Sequence, residues 1–366
     1  MTIQGLHHIT IVCADAQRTV DFYTGVLGFR LIKKTVNFDD PGSYHLYFGN
    51  NAGSPGSVIT FFEWPRAPKG HWGVGGTHHY AMQVGDYSGL LKWKRRLNDL
   101  SISVDGPLDR HYFTSIYFND PDGTILEIAT LGPGWTIDEA PDCIGREYRE
   151  PPADMMVRNR DDARISATTW AEPVPEITAD MALNKKDACL HHITAIGSDI
   201  RRTSDFFAGL LGMRRVKMTS NFDDPDSPHW YWGVGEGRPG TLVTYFGRNP
   251  SKERRVTQGT GQTHHFALVV PDEDALAVWR ETLVAAGLEV TPIRDRIYFK
   301  SIYMHDPDGH IVELATAGPG FAVDEDRGRL GSDLKLPPWL EGRREDIEAK
   351  LRPLHGPDWR SAEVAS

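Results

Sequence analysis

The stretch Leu6-His-His-Ile-Thr10 returns as Leu190-His-His-Ile-Thr194, and this recurrence sets the reading of the whole chain. Asn37-Phe-Asp-Asp-Pro41 returns as Asn221-Phe-Asp-Asp-Pro225, and Gly76-Thr-His-His79 returns as Gln262-Thr-His-His265. Ser115-Ile-Tyr117 with Asp120-Pro-Asp-Gly123 returns as Ser301-Ile-Tyr303 with Asp306-Pro-Asp-Gly309, and Ala129-Thr-Leu-Gly-Pro-Gly134 returns as Ala315-Thr-Ala-Gly-Pro-Gly320. His192 follows His8 by 184 residues and His265 follows His79 by 186, so the register slips by only two across the unit. A period this long is a tandem duplication of a domain-sized unit, not a solenoid.

Each copy divides again. His8–Val12 reads as a strand, and Val20, Tyr23 and Leu27 have the spacing of one helix face, with Gly28 as a stop signal; Phe206, Leu210, Met213 and Gly212 repeat this. β-rich runs follow at Tyr44–Phe48 and Ser57–Phe62. The order then restarts at Thr77–Val84, with a helix near Leu90–Leu100 and strands Tyr112–Phe118 and Thr124–Ala129 across the Asp120-Pro-Asp-Gly123 turn. The fold class is therefore α+β, with four βαβββ modules, two per copy. The expected division is residues 1–131 for the first repeat, 132–186 for a Pro- and charge-rich tail and linker, 187–317 for the second repeat, and 318–366 for a C-terminal tail with a short helix near Arg344–Leu351.

Composition narrows the function. Of 366 residues, 40% are hydrophobic and 25% charged, as in ordinary globular proteins. A formal net charge of -10 disfavours nucleic acid as a partner. The basic run at Lys92, Lys94, Arg95 and Arg96 reads as a solvated helix face. Three cysteines make no disulfide framework and suit a reducing compartment. No signal peptide and no apolar run of membrane-spanning length is evident, so a cytoplasmic location without a membrane partner is expected. Assembly into a homo-oligomer is left open.

The chemistry lies in the polar residues of apolar strands. His8 and Thr10 alternate with Ile9 and Ile11 and so share one strand face. Glu127 stands between Leu126 and Ile128, and Glu313 between Val312 and Leu314; a carboxylate there is costly to bury unless it is paired or metal-bound. His79 and His265 open the first strands of the second and fourth modules. Two imidazoles and a carboxylate suit a divalent metal with open coordination positions, Fe(II) or Mn(II). A lone strand histidine is ordinarily core; joint recurrence in both copies argues for metal. Arg110 and Tyr117 precede Glu127 as Arg296 and Tyr303 precede Glu313, suited to holding anionic oxygen and managing a proton. Strict alternation puts His7, His191, His78 and His264 on the opposite strand face, unless the strand starts are irregular. His45 and His229 read as structural.

These residues, together with Val36–Pro41, Tyr44–Gly49, Pro55-Gly56, Thr291–Arg296, Tyr298-Phe299, Pro319–Phe321 and Asp324-Glu325, resemble the vicinal oxygen chelate superfamily. The closer likeness is to hydroquinone-type ring-cleaving dioxygenases, including those of dichlorohydroquinone and methylhydroquinone, over nearly the whole chain. The resemblance implies two half-barrel domains and metal ligands at His8, His265 and Glu313, so that the first module pairs with the fourth. It implies supporting roles for His7, Thr10, His264, Arg296 and Tyr303. It also implies Fe(II)-dependent, extradiol-type cleavage of a hydroquinone or catechol-like diol with O2. In that family the pseudo-symmetric triad is degraded. Here it is intact as His192, His79 and Glu127, beside Arg110 and Tyr117. Pairing of adjacent modules would instead group His8, His79 and Glu127, and His192, His265 and Glu313. The alternatives are a glyoxalase-like isomerase or lyase, which needs a fourth carboxylate that Ser57–Phe62 and Thr241–Phe246 lack, and a non-enzymic binder of quinones or drugs, which needs no triad.

Overall fold

A computed structural model describes residues 2–184 and 189–355. The expected boundary between linker and second repeat, at 186, lies outside the described residues, as does the end of the tail beyond 355. The first module comprises β1 (Leu6–Cys13), α1 (Ala16–Val20), β2 (Arg30–Asn37), β3 (Asp40–Gly49) and β4 (Val58–Glu63). The second comprises β5 (Gly76–Val84), α2 (Tyr87–Asp99), β6 (Asp105–Asp109), β7 (Thr114–Asn119) and β8 (Ile125–Thr130). The linker carries α3 (Asp162–Ala167). The third module has β9 (Leu190–Gly197), α4 (Ile200–Ser204), β10 (Arg214–Asn221), β11 (Asp224–Gly233) and β12 (Leu242–Gly247). The fourth has β13 (Thr263–Val270), α5 (Glu273–Ala285), β14 (Arg294–Asp295), β15 (Phe299–His305) and β16 (Ile311–Pro319), and the tail carries α6 (Arg344–Glu348).

The sixteen strands make two eight-stranded sheets. One has the order β14-β15-β16-β13-β1-β4-β3-β2, the other β10-β11-β12-β9-β5-β8-β7-β6. The first module thus pairs with the fourth and the second with the third, through antiparallel β1–β13 and β5–β9 seams. Grouping of adjacent modules, the other arrangement open to the sequence, does not occur. Each curled sheet turns an apolar face to the helices, and the two sheets share one large core that includes Trp93, Trp232, Tyr23 and Phe266.

Two elements differ from the periodicity. After α1 the helix widens into a π-helical turn over Asp21–Val26, and after α4 over Asp205–Leu210. Phe22 and Tyr23 both face inward as a result, as do Phe206 and Phe207. A π-turn inserts one residue per turn and so rotates an extra side chain onto the buried face. The Pro- and charge-rich linker is well packed. Trp135, Ile144, Val174, Met181 and Leu183 are buried, and Lys94 Nζ from α2 donates to Ser166 and Thr168 carbonyls at 2.8 Å each.

Candidate metal centres

The β1–β13 seam carries the first site. Thr10 opposes His265 across it, and Glu313 lies on β16 beside β13. The three side chains converge: Glu313 Oε2 is 3.2 Å from His8 Nε2 and 3.0 Å from His265 Nε2, and the two imidazole nitrogens are 3.3 Å apart. The β5–β9 seam repeats this, with Glu127 Oε2 at 2.9 Å from His79 Nε2 and 3.2 Å from His192 Nε2. All six residues are buried, the two glutamates completely. Each triad has its ligand atoms within 4.8 Å of one another.

Strand irregularity explains the paired histidines. Leu6 and His8 oppose Leu268 and Ala267, so one extra residue, His7, bulges from β1. His264 is the extra residue of β13, His78 of β5 and His191 of β9. A bulge re-aims a side chain that alternation would send to the far face. The first histidine of every pair therefore stays beside the second, Nδ1 to Nδ1: 2.9 Å for His7–His8, 2.8 Å for His264–His265, 2.8 Å for His78–His79 and 2.9 Å for His191–His192.

This network assigns the tautomers at His8. His7 Nε2–H donates to the Thr316 carbonyl at 3.2 Å. Burial, reinforced by His8, pushes His7 down to about 3, so it is neutral and its Nδ1 is a bare acceptor. His8 Nδ1–H must then donate to it, and His8 Nε2 presents a lone pair toward Glu313. Burial alone would raise the Glu313 carboxyl; it is held well below the usual carboxylate range only by positive charge at His8 and His265, a charge that a cation bound between them would supply. Bare nitrogen facing bare carboxylate oxygen in a buried site is unfavourable without a cation between them. The donor set therefore fits a divalent metal with three protein ligands and open positions.

Thr10 lies 3.0 Å from His265 Nε2 and 2.9 Å from Thr60 of β4. Arg296 Nε donates to the Tyr303 hydroxyl at 3.2 Å, and Tyr303 opposes Glu313 across β15–β16 with its ring 5.6 Å from that of His265. Burial pushes the Tyr303 phenol up, so it keeps its proton at neutral pH. The arginine is fixed by a tight turn in which Ile297 has φ 70° and its N–H donates to Asp295 at 2.7 Å. A β-branched residue there stores about 1–3 kcal/mol of strain, which the flanking sheet must hold. In the other site Arg110 Nε meets the Tyr117 hydroxyl at 3.3 Å, next to His111 at φ 67°.

The sequence reading missed several neighbours. His45, taken as structural, lines the first cleft; its Nε2 is hydrogen-bonded to Thr60 at 2.9 Å and its Nδ1 to Tyr47 Oη at 3.0 Å, extending the polar chain that ends on His265. His229 and Tyr231 do the same through Thr244 and Thr194. Ser115 Oγ donates to Glu127 Oε1, whereas Ser301 turns to Tyr303 at 3.2 Å. Asp39 and Asp223 pair with Arg296 and Arg110. The recurring Asn-Phe-Asp-Asp-Pro and Ser-Ile-Tyr motifs were the available signal. A cavity of ≈ 930 Å³ opens on the first triad, walled by Phe62, Trp64 and Phe299; one of ≈ 720 Å³ opens on the second.

The family model of the Glyoxalase/Bleomycin resistance protein/Dioxygenase superfamily matches residues 5–128 and 189–314. The "Putative ring-cleaving dioxygenase MhqA" of Bacillus subtilis (strain 168) is 32% identical over 97% of this chain and 100% of its own. The chlorohydroquinone/hydroquinone 1,2-dioxygenase of Sphingobium indicum is 28% identical over 97% of both chains. Among solved structures, a "putative dioxygenase" from Bacillus subtilis subsp. subtilis str. 168 matches with a TM-score of 0.75 and 30% identity, covering 97% of this chain and 98% of the other. Glyoxalase I from Zea mays, at 15% identity and a TM-score of 0.55, shares the fold over 86% of this chain and 92% of its own.

Proposed function

The chain belongs to the glyoxalase, bleomycin resistance protein and dioxygenase superfamily, and we propose that it is a ring-cleaving dioxygenase of a hydroquinone or catechol-like diol, with His8, His265 and Glu313 holding Fe(II). The observation that carries this reading is the triad itself, three buried ligand atoms converging at the base of an aromatic-walled cleft. Fe(II) held by these three residues would supply open coordination positions for a chelating diolate and dioxygen, and redox chemistry between them.

The chain's own residues do the rest. Phe62 and Trp64 stack at 5.8 Å with 6° between their planes and, with Phe299, wall a slot that fits a flat ring and excludes water. Arg296 is always charged and favours an anionic oxygen in the cleft. Tyr303 donates its proton to such an oxygen, oriented by Arg296 and Ser301. With His265 Nε2 turned to the metal, its Nδ1–H donates to His264 Nδ1, 2.8 Å away, which leaves the His264 proton on Nε2 for donation to the substrate. His7 fixes the tautomer of His8, as an outer partner of a metal-binding imidazole does.

A four-ligand glyoxalase-like site finds less support. The β4 residue beside Thr10 is Thr60, and Glu63 accepts from the Ala16 backbone at 3.0 Å, facing away from the cleft lining. A non-enzymic binder would not need the buried triad. The test is oxygen uptake after anaerobic Fe(II) loading, with hydroquinones and catechols. Uptake with ring-opened product is expected. No uptake with any diol, together with turnover of a glutathione hemithioacetal, would overturn the reading. Elemental analysis of the purified chain distinguishes iron from manganese.

A further inference from the structure

The second triad is geometrically as complete as the first, yet the two clefts are not alike. Glu127, His79 and His192 are as buried as their counterparts, and the histidines are backed by the same bulged partners. Ser115 Oγ donates to Glu127 Oε1, leaving Oε2 as the single oxygen aimed at both imidazole nitrogens. Glu313 has no such hydroxyl on either oxygen. The second site therefore presents a one-oxygen carboxylate ligand, while Glu313 is free to use one oxygen or two.

The walls differ more. Arg248 stands where the first cleft has Trp64, 184 residues earlier in the repeat. Its guanidinium pairs with Asp224 and lies 5.8 Å from the Phe246 ring. The linker also reaches the second cleft. Arg160 donates to Asp223, which already pairs with Arg110 at 2.8 Å, and Arg160 Nε is 2.6 Å from Asp162. Among the described residues, none of the C-terminal tail lines the first cleft, where Asp39 meets Arg296 at 3.5 Å. Both clefts carry charged side chains, the first at Arg280, Glu289, Arg294 and Arg296. The difference lies at one wall: the first cleft presents Phe62 and Trp64 there, and the second presents Phe246 and Arg248, with Arg160 and Asp162 of the linker also in its lining.

We propose that His79, Glu127 and His192 form a second divalent-metal centre, so that one chain carries two ions, and that its cleft selects a more hydroxylated, hydrogen-bonding chelate than the first. An apolar substituent entering the second cleft would desolvate Arg248 and Arg160 without replacing their water hydrogen bonds, whereas a hydroxyl would replace them. At the matching wall of the first cleft the same hydroxyl would face Phe62 and Trp64 and lose its own hydration.

The full-length chain, stripped with chelator and loaded anaerobically with Fe(II) or Mn(II), should hold two ions after desalting. His192→Ala and His265→Ala should each hold one, and the double variant none. Glu127→Gln and Glu313→Gln read the same loss with less disturbance to packing, and circular dichroism checks that each variant is folded. One ion in the wild type that His192→Ala and Glu127→Gln both leave in place would overturn the second centre. Selectivity is read by anaerobic titration of the Fe(II)-loaded single-site variants with methylhydroquinone and hydroxyhydroquinone, near-isosteric probes. With only the second centre, in His265→Ala, hydroxyhydroquinone should bind about tenfold the tighter. With only the first, in His192→Ala, the order should reverse. The same order in both variants would overturn the proposed difference between the clefts.

Discussion

His7 shows how one residue outside a ligand set can decide what the set binds. Its Nδ1 is the only acceptor given to the His8 Nδ1–H, and its own Nε2–H is used by Thr316. His7→Phe should keep the ring volume beside Phe299, whose centroid is 4.9 Å away, while releasing the His8 tautomer. We expect metal affinity to fall about 10–100-fold, read by chelator competition, with little change in the far-ultraviolet spectrum. An unchanged affinity would mean that His8 is oriented by packing alone. His8, His265 and Glu313 stood out in the sequence as candidate ligands because histidine and glutamate are rare at inward positions of apolar strands. The role of His7 was not, because two-residue alternation assigns it to the wrong face. The place of His45 beside the cleft was not legible for a related reason: it is set by Thr60 and Thr10, which are neighbours only across strands.

At the scale of elements, the bulges and the strap-like segments carry what periodicity cannot express. Lys33 of β2 is wholly buried; its ammonium meets Asp324 at 2.5 Å and also Glu325, under the Tyr298 ring at 4.9 Å. Lys217 of β10 does the same with Asp138 at 2.7 Å and Glu139, 4.5 Å from the Tyr112 ring. These lysines latch the tail and the linker to the two sheets. Removing one leaves a buried carboxylate, Glu325 or Glu139, without its cation, which costs more than the pair contributes relative to an apolar replacement. Lys33→Met should lower the unfolding free energy by about 3–5 kcal/mol in denaturant titration, and an effect within 1 kcal/mol would show that the latch is dispensable. The strands at His8–Val12, Tyr44–Phe48, Ser57–Phe62, Thr77–Val84, Tyr112–Phe118 and Thr124–Ala129, and helix α2, follow the hydrophobic pattern and lie within a few residues of where it places them. The π-turns after α1 and α4 were not, since a single inserted residue leaves the spacing of Val20, Tyr23 and Leu27 unaltered.

For the whole molecule, the duplication matters because neither copy contains a complete site. β1 lacks its β13 partner within residues 2–184, and β9 lacks β5 within residues 189–355. The isolated first half should therefore bind no metal as a monomer. If it binds, it should do so as a dimer in which β1 of one copy pairs with β5 of the other, bringing His8 against His79 and Glu127. Size-exclusion chromatography with metal analysis of each peak tests this; metal in the monomer peak would contradict it. The sequence by itself determined the duplication, the α+β modules and the residue types able to bind a metal, because repeats, alternation and misplaced polar residues are local signals. Only the tertiary structure decided that His8 meets His265, 257 residues away, and not His79. Both histidines open equivalent strands with the same neighbours, and nothing local distinguishes them. The choice is made by which strand pairs with β1, and that is a property of two whole sheets closing over a shared core.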